Sequence, residues 1–332
     1  MQEKTPKTLN WNSWPQPIVA LSPMADMTDS AFCRTVRHIG AGEQNKLVVF
    51  REMVSAEAVV RGNEKTLGMT DIHPSERPLV QQIFGSDPDT MAEAVRIIQE
   101  THSPDGFDIN MGCPVYKIVH NFNGAALMKE PDLATRIVKA MKAVSKVPVS
   151  VKIRTGWSDA NDCLTFAPQM EQAGADLITI HGRTKTQGYT GSSDWNKIGE
   201  VKKLLSIPLL ANGDIHRAEQ VSEALSVTGA DGVLIARGAL GNPWIFKSID
   251  SALRGEPIEV VSTEERIAVV TQHALWHIEQ YGEGGLVSFR KHLAWYFKGI
   301  PGAKELRQEL VHISTLSELT SLLSRFLITS SI

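Results

Sequence analysis

Residues 106–114 read Gly-Phe-Asp-Ile-Asn-Met-Gly-Cys-Pro, a short apolar run that stops abruptly at loop-forming residues. The run from Gly106 to Ile109 predicts a buried strand, and the Asn, Gly and Pro that follow predict a loop. In a barrel of alternating strands and helices, the chemistry lies in the loops that follow the strands. A lone cysteine is usually a small buried hydrophobe. On this Gly-Cys-Pro turn, Cys113 can instead face a ligand, and both interpretations stay open at this point.

On either side of this stretch, short apolar runs alternate with amphipathic segments from Pro17 to about Lys247. Several runs are nearly continuous in β-branched residues, which is typical of parallel strands buried on both faces. The predicted strands are Ile18–Leu21, Leu47–Phe50, Leu79–Ile83, Phe107–Ile109, Val149–Ile153, Leu177–Ile180, Pro208–Ala211 and Gly232–Ile235.

Helices are predicted between these strands. Gly40, Gly174 and Gly229 stand just past three of them, where a C-cap glycine is favoured. Pro88 and Pro131 stand near two helix starts, each close to an Asp. The predicted helices are Asp29–His38, Ser55–Leu67, Pro88–Glu100, Pro131–Val144, Cys163–Ala173, Trp195–Leu205, Ala218–Thr228 and a short one near Ala239–Phe246.

Eight strand-then-helix units over ~230 residues predict an α/β fold, a (β/α)8 TIM barrel over residues 17–250. A doubly wound, dinucleotide-binding sheet would be expected to carry a Gly-x-Gly-x-x-Gly motif after its first strand. Ser22-Pro23-Met24-Ala25 stands there instead, so we reject that fold. Residues 1–16 form an N-terminal extension. Beyond a linker near residues 256–263, four amphipathic segments predict a small C-terminal all-helical domain over residues 260–332, with helices Glu264–Tyr281, Leu286–Phe297, Ala303–His312 and Ser317–Phe326.

The composition is that of an ordinary globular protein, with 332 residues, 42% hydrophobic and 21% charged. Three widely spaced cysteines without a C-x-x-C predict neither a disulfide framework nor a zinc site, and suit a reducing cytoplasm. Cys33 and Cys163 fall in helical stretches and are expected to pack. No run approaches the ~20 apolar residues of a membrane helix. The net charge of −3 argues weakly against a nucleic-acid partner, although a local basic face can still exist.

The loops after the last two strands carry small residues that lead into helices. Asn212-Gly213-Asp214 follows the seventh strand and Ala236-Arg237-Gly238 follows the eighth. This is where TIM barrels bind phosphate, through backbone N–H groups and a helix N-terminus. Arg237 can add a positive charge to the same phosphate. The alternative is a pair of tight structural turns.

The fifth strand carries a lysine on its polar face. Ser150, Lys152 and Arg154 share that face by strand alternation. A buried lysine is almost never found without a partner. That partner is either an anionic cofactor, which we favour, or a carboxylate such as Asp108. His181 ends the sixth strand and is either a core group or, with Arg183 beside it, part of the site.

Two classes of site are disfavoured by spacing. No His/Asp/Glu cluster has metal-ligand spacing, so we predict no metal. No Gly-x-Ser-x-Gly elbow is present, which disfavours a serine hydrolase.

Together these strand-end residues resemble the tRNA-dihydrouridine synthases, and most closely the bacterial DusB type. The resemblance covers the chain from about Pro17 to Phe326. It rests on Leu21-Ser22-Pro23-Met24-Ala25 with Thr28-Asp29, Gln82–Pro88, Asp108–Pro114, Lys152–Trp157, Thr179–Thr184, Ala211–Ile215 and the tail motif Arg290-Lys291-His292-Leu293-Ala294-Trp295-Tyr296.

The resemblance implies an FMN-bound barrel and a helical tRNA-binding domain that together reduce uridines in tRNA to 5,6-dihydrouridine with NADPH. Flavin N5 would deliver hydride to C6 of the uracil, and Cys113 would give the proton to C5. Pro23, Met24 and Ala25 would line the flavin, Gln82 and Lys152 would bond its ring edge, His181 would approach it, and its tail and phosphate would be held by Asn212, Gly213, Asp214, Ala236 and Arg237. The tRNA would be bound by Asn110, Lys117, Arg183, Arg290 and Lys291.

Two departures and two alternatives accompany the resemblance. Ala236 stands where the family often has Gly, but its N–H is retained, so we expect FMN binding to survive. The acidic net charge is unusual for a tRNA enzyme. One alternative is an FMN enzyme of the dihydroorotate or dihydropyrimidine dehydrogenase type that acts on a free pyrimidine. The other is a non-catalytic flavin- or RNA-binding regulator. We expect a cytoplasmic monomer.

Overall fold

The computed structural model describes residues 9–41, 46–120 and 122–330, and it contains a closed barrel of eight parallel strands. Each strand pairs with its neighbours in chain order, and the eighth pairs with the first through Ile18–Leu21 and Gly232–Ile235. The predicted TIM barrel is confirmed. The strands are β1 Ile18–Leu21, β2 Leu47–Ser55, β3 Leu79–Phe84, β4 Gly106–Met111, β5 Val149–Arg154, β6 Leu177–His181, β7 Leu209–Asn212 and β8 Gly232–Ile235.

Ten helices surround the barrel and four more follow it within the described residues. None of the described helices is long and apolar enough to cross a bilayer. The barrel helices are α1 Ser30–Gly40, α2 Ala56–Val60, α3 Glu64–Gly68, α4 Pro88–Thr101, α5 Tyr116–Val119, α6 Pro131–Val144, α7 Asp162–Gln172, α8 Trp195–Lys202, α9 Gln220–Thr228 and α10 Ile245–Leu253. The later helices are α11 Thr263–Tyr281, α12 Leu286–Tyr296, α13 Lys304–Leu310 and α14 Leu316–Ser330.

The barrel interior is apolar at its amino end and polar at its carboxyl end. Ile18, Ala20 and Phe50 belong to a buried apolar cluster inside the ring. Trp11, which precedes the first strand, closes the amino end and stacks on Phe50 with ring centroids 6.1 Å apart. The polar residues of the same strands therefore collect at the opposite end, where the strand-end loops meet.

Three local predictions were wrong. The single helix predicted over Ser55–Leu67 is divided into α2 and α3, because Gly62 adopts a φ of +70° and the Asn63 side chain caps the second helix. The helix predicted near Ala239–Phe246 begins only at Ile245, after a 3-10 turn over Arg237–Ala239. Gly40 is the last residue of α1 and not a cap beyond it.

The helical domain packs against the loop that follows β8. Gly241 in that loop has a φ of +65°, and a Cβ there would overlap the carbonyl group of Trp295 on α12. Arg266 of α11 donates to the carbonyl oxygens of Gly241 (3.4 Å) and Tyr296 (3.1 Å), and its guanidinium lies over the Trp244 ring. The backbone at Gly241 therefore lies directly against the backbone of α12, and no side chain fits between them.

We expect Gly241→Ala to destabilise the protein by about 3 kcal/mol or more, because a strained φ and a backbone overlap act together. Gly255→Ala is the matched control, since Gly255 has a φ of +69° and open space around its Cβ position. The control should cost only about 1 kcal/mol for the strained backbone. Denaturant unfolding measures both, and equal destabilisation would contradict the packing argument.

Candidate active site

A cavity of about 630 Å³ opens at the carboxyl end of the barrel, a size typical of small-molecule sites. It is lined by the ends of the strands and by one residue of the helical domain, Trp295. Cys113 and Asn110 line it as well. So do the residues predicted to hold a cofactor: Pro23, Met24, Ala25, Gln82, Lys152, His181, Asn212, Gly213, Asp214, Ala236 and Arg237.

The turn after β4 fixes the position of Cys113. The Asn110 side-chain oxygen accepts from the backbone N–H groups of Gly112 (3.2 Å) and Cys113 (3.0 Å). The Cys113 carbonyl accepts from the N–H of Ala125 at 3.1 Å. Burial raises the pKa of the Cys113 thiol above its usual value. The thiol is therefore protonated at neutral pH and is suited to act as an acid.

A chain of hydrogen bonds runs across β3, β4 and β5 below the cavity. Asp108 accepts from the Ser150 hydroxyl and from the Gln82 amide, both at 2.6 Å. Asn110 in turn donates to the Gln82 side-chain oxygen at 2.9 Å. Burial raises the pKa of Asp108 to about 6. The network locks the orientation of the Gln82 and Asn110 amides toward the cavity floor.

Lys152 faces the cavity without a carboxylate partner among the described residues. Asp108 makes its hydrogen bonds to Ser150 and Gln82, and it acts on Lys152 only through its charge, without a direct ion pair. Burial and the charge of Arg154 lower the pKa of Lys152 to about 8. The amine therefore still carries most of its charge at neutral pH, and an anion in the cavity would be its natural counter-ion.

Arg183 lies behind the cavity wall and does not line the cavity. It is 2% exposed, and its guanidinium donates to both carboxylate oxygens of Asp214, at 2.9 and 2.7 Å. It also donates to the carbonyl oxygen of Gly191. These contacts tie the loop after β6 to the loop after β7. Arg183 was expected to contact tRNA. Its burial and these contacts indicate instead that it holds the two loops together.

His181 is also buried, but it does reach the cavity. Burial, together with the nearby charges of Lys152 and Arg154, lowers the pKa of His181 to about 2. The imidazole is therefore neutral throughout the physiological range. It can donate or accept a hydrogen bond there but adds no charge.

The loops after β7 and β8 form a cradle of backbone N–H groups. Gly213 has a φ of +117°, and the Asn212 amide donates to the Leu234 carbonyl at 2.6 Å. Within the described chain, the N–H groups of Gly213, Arg237 and Gly238 have no hydrogen-bond acceptor. Arg237 adds a half-exposed guanidinium beside them. The cradle fits a phosphate group, although both segments are also tight turns.

Met53, Arg154, Tyr189 and Trp295 are among the lining residues that the sequence reasoning missed. Met53 comes from the end of β2, beyond the predicted strand, and Arg154 was noted without a role. Tyr189 is 63% exposed and lies under the guanidinium groups of Arg154 (5.8 Å) and Arg237 (5.0 Å). Trp295 belongs to the tail motif, which was the one available signal for it.

The other predicted tRNA contacts lie outside the cavity. Lys117 is exposed on α5, directly after the Cys113 turn. Arg290 donates to the carbonyl oxygens of Ile313 (2.7 Å) and His312 (3.0 Å), so it braces the helical domain. Lys291 is partly exposed, and its charge acts on Glu52, whose pKa is raised to about 7, mainly by burial.

The fold and the site together define a (β/α)8-barrel enzyme with a protonated thiol, a lysine without an ion-pair partner and a cradle of backbone N–H groups around one cavity. The sequence model of the family "Dihydrouridine synthase (Dus)" matches residues 19–330. The chain therefore belongs to the dihydrouridine synthase family, as the sequence resemblance predicted.

Curated relatives match along nearly the whole chain. The chain is 37% identical over 352 residues to probable tRNA-dihydrouridine synthase 1 of Synechocystis, a match that covers 100% of this chain and 97% of that protein. It is 41% identical over 294 residues to tRNA-dihydrouridine synthase B of Pasteurella multocida, covering 87% of this chain and 86% of the relative.

Two solved structures share the barrel fold at low sequence identity. Histamine dehydrogenase from Rhizobium matches with a TM-score of 0.54 and 10% identity, over 94% of this chain and 62% of that one. 2-Naphthoyl-CoA reductase matches with a TM-score of 0.53 and 11% identity, over 75% and 50% of the two chains.

Proposed function

We propose that this protein reduces uridines in tRNA to 5,6-dihydrouridine, with FMN bound in the barrel and NADPH as the reductant. The observation that carries the proposal is that a protonated thiol, Cys113, and an unpaired cation, Lys152, line one cavity. The tRNA-dihydrouridine synthase names of the full-length relatives support it. A tRNA substrate suits a cytoplasmic protein, and we propose that it acts there as a monomer.

The cavity fits FMN on two counts. The cradle of Gly213, Arg237 and Gly238 offers N–H groups for a terminal phosphate, and Asn212, Asp214 and Ala236 shape it. Lys152 and Gln82 offer donors to a ring edge deeper in the barrel, and Pro23, Met24 and Ala25 offer an apolar and backbone wall. When bound, FMN supplies the hydride that reduces the C5–C6 bond of the pyrimidine, and NADPH restores it.

Cys113 supplies the proton in this scheme. Reduction of the C5–C6 bond leaves negative charge on C5 and the C4 oxygen, so C5 must be protonated. The Cys113 thiol holds its proton at neutral pH because it is buried. The charges of Lys152 and Arg154 then stabilise the thiolate that remains, since both favour ionisation of this sulfur. Asn110 acts as a positioning residue, because it holds the turn on which Cys113 stands.

Lys152 gives the site a pH dependence. Its pKa is about 8, so the ammonium loses its proton as the pH rises through that value. An anionic ligand binds the charged form better. We therefore expect FMN affinity to be highest below pH 8 and to fall about fivefold from pH 8 to pH 9, as the protonated fraction of Lys152 falls. Fluorescence titration of the apoprotein with FMN measures this.

Lys152→Met removes the titrating group, so its FMN affinity should be weaker at pH 7 and flat up to pH 9. The surface variant Lys139→Met is the matched control and should keep the wild-type profile. An unchanged pH profile in Lys152→Met would remove Lys152 from FMN binding.

Binding of tRNA must offset the few kcal/mol needed to flip a uridine out of its stack. Basic residues beside the cavity and on the helical domain, such as Lys117, Lys291 and Lys298, are the candidate phosphate contacts. Since phosphate contacts release counterions, tRNA affinity should fall steeply as salt rises. Affinity that is independent of salt would argue against a basic tRNA-binding face.

Mapping dihydrouridine in tRNA from cells that lack and then regain this protein tests the proposal. Specific positions should lose the modification and recover it. The purified protein should be yellow, and it should reduce tRNA in preference to free uracil. Reduction of free uracil without tRNA would support the alternative of a free-pyrimidine enzyme, and no change in cellular tRNA would overturn the proposal.

A further inference from the structure

A second polar cluster lies at the seam between the barrel and the helical domain, away from the cavity. Asp29 precedes α1, His273 and His277 lie on α11, and His292 lies on α12. All four side chains are buried, with exposures of 0–1%. Ligand atoms of Asp29, His273 and His292 lie within 4.8 Å of one another. None of the four lines the active-site cavity.

Most polar atoms of this cluster have no hydrogen-bond partner within the described chain. These atoms are Asp29 Oδ2, His273 Nε2, His277 Nδ1 and both ring nitrogens of His292. The remaining polar atoms of Asp29 and His273 are held by hydrogen bonds. Asp29 Oδ1 accepts from the N–H of Phe32 at 2.9 Å, and His273 Nδ1 lies 2.9 Å from the Tyr296 hydroxyl. Since buried polar atoms are nearly always satisfied, the cluster calls for a further group among them.

The donor set of the cluster is one that binds a cation. A carboxylate and imidazole nitrogens converge in a site closed to solvent. His277 Nε2 lies 2.8 Å from the Ser288 hydroxyl, which holds one side of this ring. The other ring nitrogen, Nδ1, lies 3.4 Å from Asp29 Oδ2, on the side of the cluster.

We propose that Asp29, His273 and His292 bind one Zn²⁺ ion, with His277 beside it as the fourth ligand. Imidazole and carboxylate donors suit zinc, whereas Mg²⁺ and Ca²⁺ prefer oxygen ligands alone. A two-histidine, one-carboxylate iron site needs open positions for its substrates. Phe32 and Phe289 pack against these imidazoles and the cluster is closed to solvent, so the ion is structural.

The site joins the two parts of the chain. Asp29 belongs to the loop between β1 and α1, and the histidines belong to α11 and α12, so one ion would fix the helical domain to the barrel. The sequence expectation of no metal rested on short ligand spacing. These ligands come from opposite ends of the chain, and only the fold brings them together.

Metal analysis of the untagged, full-length protein, purified without chelators, tests this inference independently of its enzymatic activity. We expect about one zinc per chain. Removal with dipicolinic acid followed by addition of Zn²⁺ should raise the unfolding temperature by about 5 °C or more. His273→Gln and His292→Gln should lose the metal and the thermal response. His38→Gln, which changes an exposed histidine of α1, should keep both.

Two results would overturn the zinc site. One is a wild-type protein that contains no metal and whose unfolding temperature does not respond to Zn²⁺, which would assign the cluster to hydrogen-bonded imidazoles. The other is full zinc content in His292→Gln. If the variants fail to fold, the comparison of metal-free and zinc-loaded wild-type protein decides by itself.

Discussion

Cys113→Ala should lower the rate of dihydrouridine formation about 10²- to 10⁴-fold, the usual contribution of a positioned general acid. The sulfur lines the cavity, and its turn is fixed by backbone groups that alanine retains. The variant should therefore fold, remain yellow and oxidise NADPH at a rate close to that of the wild type. Single-turnover reduction of tRNA by the pre-reduced enzyme measures the affected step alone.

The matched control for this change is Cys163→Ala. Cys163 is fully buried on α7 and does not line the cavity, so its loss should cost some stability and leave tRNA reduction intact. If Cys113→Ala makes product at nearly the normal rate, Cys113 is not the acid. If it also leaves cellular function unchanged, the hypothesis of a non-catalytic binding protein gains support.

The barrel could be predicted from the sequence because its strands are apolar runs with polar ends. The prediction for β2 failed where charged residues interrupt the apolar run. The predicted strand ends at Phe50, directly before the charged residues Arg51 and Glu52, yet the strand in the structure continues to Ser55. The buried carboxylate of Glu76 neutralises Arg51, and burial raises the pKa of Glu52 to about 7. Such partners lie far along the chain and leave no periodic signal.

The candidate site could be predicted to the extent that it lies at strand ends. Lys152 follows from strand alternation, and Gly213 and Arg237 follow from their position after β7 and β8. Contacts between loops could not be predicted. The pairing of Arg183 with Asp214 and the position of Tyr189 over the cavity depend on how two separate loops fold toward each other.

Gly213→Ala should weaken FMN binding about 100-fold or more, equivalent to about 2.7 kcal/mol. The φ of +117° at Gly213 is one that side chains rarely adopt. A Cβ there would also lie 2.5 Å from Ser193 Oγ and 2.7 Å from His181 Cδ2. The loop must then move, which turns its N–H away from the phosphate that we propose it binds. Titration of the apoprotein with FMN, followed by flavin fluorescence, gives the change in Kd.

Gly229→Ala is the control that separates the effect of a strained backbone from the effect of the steric overlap at position 213. Gly229 has a φ of +60° at the end of α9, with open space around it, and it lies before β8 at the amino end of the barrel. This control should lose about 1 kcal/mol of stability and bind FMN normally. Equal FMN affinity in Gly213→Ala and the wild type, with both folded by circular dichroism, would contradict the cradle. The phosphate would then have to be held by side chains such as Arg237, whose substitution would become the decisive experiment.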